Sequence, residues 1–166
     1  MLQFQYISDK HKEIIENFQC DDEPSVAEFL KEQALTLHLS NCAITRLYFD
    51  ENRNLIGFFT LYNDHIEVSK AKKKKHMWEL PRNLKFFPAI KLHYIGIDAR
   101  YRGQGYGQEL MDEVFDVCQE IARLSGCVFL TLEALNSAVG FYKKNGFELY
   151  SRDVYFQNMI LKLDEL

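Results

Sequence analysis

The sequence predicts a mixed α/β fold in a single domain spanning residues 1–166. Three observations support it. Hydrophobic spacing alternates along the chain between the every-second-residue repeat of strands and the three-to-four repeat of helices. The resulting order is strand, helix, three strands, helix, strand, helix and two strands, with no internal repeat and no linker-like stretch. A basic glycine-rich turn, Arg100-Tyr-Arg-Gly-Gln-Gly-Tyr-Gly107, separates an apolar strand pattern from the longest amphipathic helix pattern. With 166 residues, 47% hydrophobic and 27% charged, the chain can bury a core and is too apolar to be disordered.

Leu2 to Ile7 alternates as a first strand, and His11 to Asn17 can supply a short helix. Asp21, Asp22 and Pro24 then mark a helix start, the acids suiting the dipole and the proline the first turn. Val26, Phe29, Leu30, Ala34 and Leu37 continue it as one amphipathic helix over residues 25–39. Ala43 to Asp50 and Leu55 to Tyr62 are strands joined by a hairpin signal at Glu51-Asn-Arg-Asn54. Residues 65–82 are least regular: strand-like at Ile66 to Val68, then a lysine run read as a solvated loop, with Pro81 and Pro88 as breaks. Lys91 to Asp98 is a central strand. The helix from Tyr106 to Leu124 should turn Leu110, Val114, Val117, Cys118, Ile121 and Leu124 inward. Cys127 to Leu132 reads as a buried strand, Ser137 to Asn145 as a helix ended by Gly146, and residues 147–151 and 155–163 as a final strand pair.

The glycine turn is suited to phosphate. Amides at a helix N-terminus have no intrahelical partner and face the positive end of the dipole. Gly103, Gly105 and Gly107 allow close backbone approach, and Arg100 and Arg102 add forked donors. The spacing lacks the final x-x-G of the dinucleotide fingerprint and contains no P-loop. It does contain R-x-x-G-x-G, from Arg102 to Gly107. A second motif follows in Ser137-Ala-Val-Gly-Phe-Tyr-Lys-Lys-Asn-Gly-Phe147, after the buried strand. Its Ala138, Phe141 and Tyr142 share one helix face, with Lys143 and Lys144 at the end that favours cations.

In this order the two motifs resemble those of the GNAT N-acetyltransferase superfamily, R-x-x-G-x-G and A-x-x-F-Y-x-x-x-G-F. The resemblance implies a mixed, mostly antiparallel central sheet with helices on both faces, and acetyl-CoA as cofactor. It implies that Arg102, Gly103, Gln104, Gly105, Tyr106 and Gly107 cradle the pyrophosphate, and that the backbone of Ile95 and Ile97 binds the pantetheine arm. Gly96 between them is either a close-approach glycine for the ligand or a packing glycine beneath a helix. Tyr142 takes the family's general-acid position. His93 matches a histidine base of some members, while the carboxylate position of others is Lys91 here; Glu133 is a lesser candidate base, and some members need none. The family's cofactor-contacting asparagine falls at Leu135, so Asn136 is either a shifted cofactor contact or the cap of the last helix.

A further stretch, Phe18-Gln-Cys-Asp-Asp-Glu-Pro-Ser-Val-Ala-Glu-Phe-Leu30, resembles a GNAT branch that includes toxins of bacterial type II toxin–antitoxin systems. These acetylate the amino group of aminoacyl-tRNA; Val26 and Ala27 depart from the branch pattern. This implies a charged-tRNA acceptor and an antitoxin partner. Lys72, Lys73, Lys74, Lys75, Arg82 and Lys85 would then form the substrate contact. The net charge of −4 argues the other way, toward a small-molecule, peptide or protein amine. A coenzyme A-binding domain without turnover is the third reading. No DNA partner and no metal are expected. No apolar run is long enough for a membrane span, no signal peptide is evident, and the four cysteines lack metal spacing, so a cytoplasmic location is expected. Trp78, Phe86 and Phe87 are expected as exposed aromatics, open to a homodimer interface, a substrate pocket or the core.

Overall fold

The computed structural model describes residues 2–165. Its elements are β1 (Gln3–Tyr6), α1 (Lys12–Glu16), α2 (Pro24–Glu32), α3 (Ala34–Leu39), β2 (Ile44–Phe49), β3 (Leu55–Glu67), α4 (Lys70–Lys75), β4 (Phe86–Ile97), α5 (Tyr106–Ser125), β5 (Phe129–Ala134), α6 (Val139–Lys144), β6 (Glu148–Arg152) and β7 (Gln157–Lys162). The strands form one sheet in the order β1-β2-β3-β4-β5-β7-β6, with β1–β2, β2–β3, β5–β7 and β6–β7 antiparallel. The chain divides into two compact units. One comprises residues up to Tyr62 with Leu92–Asp116; the other comprises Asn63–Lys91 with the residues from Val117 onward.

In the first unit, α1 and α2 share a core with β2 and β3. Phe18 and Phe58 meet edge to face at 5.5 Å, and Phe29 stacks on Tyr94 at 4.1 Å. Two strand glycines make this packing possible. A Cβ on Gly96 would lie 2.5 Å from Val26 of α2, and one on Gly57 would lie 2.5 Å from the Gly96 carbonyl oxygen. Gly96 is therefore a packing glycine beneath a helix. The β2–β3 hairpin is closed by Asp50, whose Oδ1 accepts the amides of Asn52 (2.9 Å) and Asn54 (2.8 Å), while Arg53 takes a left-handed φ of 62°.

Several boundaries differ from the sequence reading. The helix expected over 25–39 is two helices, broken at Gln33, where no proline or glycine stands. The cause is tertiary: the bend buries Ala34 completely and lets His38 Nδ1 accept the amide of Thr45 at 3.1 Å. The lysine run is not a loop but helix α4. Ser69 caps it by accepting the Lys72 amide at 3.2 Å, and Met77, just past the His76 C-cap, turns left-handed at a φ of 55°. Pro88 does not interrupt its strand. It lies third in β4 and lends its carbonyl to the Val128 amide at 3.0 Å, which requires no N–H of its own.

The second unit has its own core of Val68, Trp78, Phe87, Ala89, Phe129 and Ile160. Trp78 and Phe87 are thus buried rather than exposed, and only Phe86 of that group faces solvent. Leu124, expected inward, is 79% exposed, because it occupies the last turn of α5 beyond the buried stripe ending at Cys118. Cys127 precedes β5 and is half-buried, with its thiol donating to the Phe129 carbonyl at 3.4 Å.

Candidate active site

The glycine turn opens α5. Gly103 and Gly105 have φ values of 74° and 88°, a left-handed conformation that strains any residue with a Cβ. Nothing lies within 4 Å of a Cβ built on either, so packing does not demand glycine there; backbone conformation does. The Gly105 carbonyl accepts the amides of Gln108 (3.0 Å) and Glu109 (3.2 Å), which sets the first turn of a 20-residue helix. An open, left-handed entry to a long helix fits an anion on the first amides.

The arginines around this turn face the protein's own acceptors. Asp98, fully buried at the end of β4, accepts Arg100 Nε at 2.8 Å, Arg100 Nη2 at 2.7 Å, the Arg100 amide at 2.9 Å and the Gln19 amide at 3.0 Å. Burial alone would raise its pKa, but these donors outweigh burial and hold the carboxyl below its usual range. Arg100 also donates to the Asn17 carbonyl at 3.1 Å. Its charge is thus spent on Asp98, and it anchors the turn instead of offering the free fork read from the sequence. Arg102 donates to the Ile97 carbonyl at 3.3 Å, to Cys20 Sγ at 3.0 Å and to the Asp22 carboxylate. The sequence marks Asp22 as a helix-start acid and Cys20 within the Phe18–Leu30 resemblance; their pairing with Arg102, and that of Asp98 with Arg100, is visible only in the fold.

His93, Ile95 and Ile97 follow one another at strand spacing on β4, each half-buried. The His93 ring is held edge to face by Phe29 (4.9 Å), Tyr62 (5.3 Å) and Tyr94 (4.7 Å). In the second unit, the Lys91 ammonium donates to the Glu133 carboxylate, which places a cation beside the lesser candidate base.

Tyr142 lies on α6, buried, with Phe141 and Phe147 edge to face at 5.4 Å and 5.7 Å. Burial pushes its phenol up to about 12, so it is a neutral donor at ordinary pH. Asn136 is exposed and accepts Gln157 Nε2 at 3.1 Å. It caps no helix, since Leu135 and Ala138 occupy the cap positions of the two turns that follow.

Helix α4 sorts the lysine run by direction. Like charges at helical spacing repel, and the fold offsets this on one side. Lys72 donates to the Tyr150 carbonyl and lies 4.2 Å over its ring; Lys73 donates to the carbonyls of Pro81 (2.8 Å) and Leu84 (2.7 Å). Lys85 pairs with Glu67 at 2.6 Å. Lys70, Lys74, Lys75 and Arg82 stay exposed and form no ion pair among the described residues. Lys70, Lys74 and Arg82 line an open cleft with Met77, Trp78 and Asn83. His76 closes the helix, stacked on Trp78 at 4.3 Å with Nδ1 on the Glu148 carboxylate.

The acetyltransferase (GNAT) domain family matches residues 44–149, which include the sheet centre, the glycine turn and α6. The chain belongs to the GNAT acetyltransferase family. Among relatives of this acetyltransferase is the tRNA-acetylating toxin of Mycobacterium tuberculosis (strain ATCC 25618 / H37Rv), 25% identical over 145 residues, covering 84% of this chain and 82% of the toxin. A structure of AtaT complexed with acetyl-methionyl-tRNAfMet superposes with a TM-score of 0.81 at 24% identity, covering 99% of this chain and 96% of the other. A mutant AtaT toxin bound to the C-terminus of the antitoxin AtaR and to acetyl-CoA superposes with a TM-score of 0.76 at 21% identity, covering 99% and 94%. The GNAT fold is thus matched along 99% of this chain. No described helix is long and apolar enough to cross a membrane.

Proposed function

We propose that this acetyltransferase moves the acetyl group of acetyl-CoA to the α-amino group of an aminoacyl-tRNA, by direct attack in a ternary complex. The amine nitrogen bonds to the acetyl carbon, the carbon–sulfur bond breaks, the amine loses a proton and the coenzyme A thiolate gains one. The observation that carries the acceptor class is the cationic cleft of Lys70, Lys74 and Arg82, in a chain similar over 84% of its length to a tRNA-acetylating toxin. In this reading the outward α4 cations meet the RNA backbone, while Lys72, Lys73 and Lys85 hold the segment together.

Arg102 to Gly107 form the pyrophosphate loop, with Gly103, Gln104, Gly105, Tyr106 and Gly107 contributing backbone. Support comes from the left-handed glycines at the start of α5. The Ile95 and Ile97 backbone takes the pantetheine arm, and the Ile97 amide polarises the thioester carbonyl. Tyr142 donates the proton to the leaving thiolate, which suits a phenol kept neutral by burial. His93 receives the amine proton through water. The α-amino group of an aminoacyl ester is a weak base, so little help is needed there. The whole chain acts as one catalytic domain in the cytoplasm, with an antitoxin as partner. A small or peptide amine is the second reading, favoured by the net charge of −4.

The test supplies radiolabelled acetyl-CoA with freshly charged total tRNA and, separately, with small amines and peptides. Label in the RNA, absent when the tRNA is deacylated beforehand, supports the proposal. Label in the amine or peptide pool alone overturns it and makes the lysine helix a bystander.

A further inference from the structure

We infer that Asp22, together with Cys20, positions the pyrophosphate loop by acting through Arg102. The inference rests on Arg102–Gly107 being that loop. Arg102 immediately precedes Gly103, where the backbone turns left-handed with a φ of 74°. Whatever fixes the guanidinium therefore fixes the entry to the loop. The guanidinium donates in three directions: Nε to the Ile97 carbonyl (3.3 Å), Nη2 to Cys20 Sγ (3.0 Å) and Nη1 to the Asp22 carboxylate. A planar fork held on three sides cannot swing to a ligand without losing a bond.

The acceptors come from the end of β4 and from the connection between α1 and α2. That connection is stitched to the same shoulder at a neighbouring point, where Ala99 donates its amide to the Gln19 carbonyl at 2.8 Å and Gln19 donates its own to Asp98 at 3.0 Å. Arg102 thus extends an interlock between the α1–α2 connection and the approach to the loop. Helix capping does not account for Asp22, because the cap of α2 is Glu23 and it makes no side-chain bond. Hydrogen bonding to Arg102 lowers the Asp22 carboxyl, which keeps it an anion, while burial raises the Cys20 thiol, which keeps it neutral. Asp22 therefore neutralises Arg102, and the coenzyme A pyrophosphate is left to the backbone amides that Arg102 holds in place.

The opposite role for Asp22, an anion competing with phosphate for Arg102, predicts the opposite sign. Calorimetry on the full chain would give Kd for coenzyme A with D22N, R102Q, the double variant, and C20S as an isosteric second probe. NMR titration would give Kd for S-acetylpantetheine, which lacks the pyrophosphate. We expect D22N and R102Q each to weaken coenzyme A about tenfold, the loss of roughly one charge-assisted hydrogen bond. The double variant should be no worse than either single, C20S should be intermediate, D22E should recover most of the loss, and S-acetylpantetheine binding should be unchanged.

Tighter coenzyme A binding by D22N would sink the inference in favour of competition. Additive losses would make the two residues independent, and equal weakening of both ligands would reduce the bridge to general scaffolding. Gly105→Val separates the inference from its premise. If it leaves coenzyme A binding intact, the loop assignment fails and the inference with it; if it weakens binding while D22N does not, only the role of Asp22 fails.

Discussion

The glycine turn before α5 and the lysine helix α4 are the two basic segments of this protein, and the fold treats their charge differently. In the turn, the arginines point back to Asp98 and Asp22, and open space surrounds the Gly103 and Gly105 backbone. In α4, helical spacing divides one run of lysines. Lys72 and Lys73 are tied to carbonyls, while Lys70 and Lys74 remain exposed. A basic residue in a sequence can thus mean a ligand contact or a clamp. Which it becomes depends on the acceptors that tertiary structure brings within reach.

In the proposed function both segments bind and neither breaks a bond, so the largest catalytic effect should lie outside them. Tyr142→Phe should lower kcat about 100-fold or more, the usual range for a general acid, with coenzyme A affinity retained. Single-turnover kinetics would check this, and a normal rate would remove Tyr142 from the chemistry. Because burial holds the phenol at about 12, no alkaline limb from Tyr142 should appear below about pH 10. The native state keeps this proton longer than the unfolded chain does. Stability from this group is therefore lost as pH rises from about 10 toward 12.

The two segments can then be separated by ligand. Gly105→Val places a branched side chain at a φ of 88° and should weaken acetyl-CoA binding about tenfold or more while leaving affinity for RNA unchanged. A variant combining K70Q, K74Q and R82Q should do the reverse. It should raise KM for charged tRNA and flatten the salt dependence by roughly 2 to 3 in slope, without moving KM for acetyl-CoA. The variant K72Q/K73Q should instead lower Tm by several degrees, since each lost bond is worth about 1 kcal/mol. Equal effects of the outward and inward substitutions on RNA would show that helical direction does not sort the lysines by role.

The smallest effect is expected at Lys85. Its exposed pair with Glu67 is worth about 0 to 1 kcal/mol. K85Q should change neither Tm nor KM for tRNA by more than about the scatter of exposed-site substitutions. A large rise in KM for tRNA would make Lys85 a contact and undo its neutral assignment.

Most of the fold was legible because it depends on local patterns. Each of the seven strands overlaps a stretch that alternation or an apolar run marked, although β3 runs on to Glu67 and β4 begins at Phe86, ahead of the expected Lys91. Helix α5 starts at Tyr106 as expected, and α6 at Val139, two residues after Ser137. What was missed depends on distant partners. No residue near Gln33 signals a helix break; the break follows from burial of Ala34 and from His38 reaching Thr45. The lysine run gave a solvated reading because its neutralising acceptors, in Tyr150, Pro81 and Leu84, are not encoded beside it.

Local sequence was enough for the family and the fold class. Glycines clustered before a helix, and an aromatic pair followed by a helix-ending glycine, are patterns that neighbouring residues carry whole. Chain folding is what sets Gly96 to packing beneath α2, ties Arg100 to Asp98 and bridges Arg102 to Asp22 and Cys20. These are interactions between residues up to about 80 positions apart in the chain. Their geometry exists only once the strands are paired, and charge finds its partner through that geometry and not through sequence order.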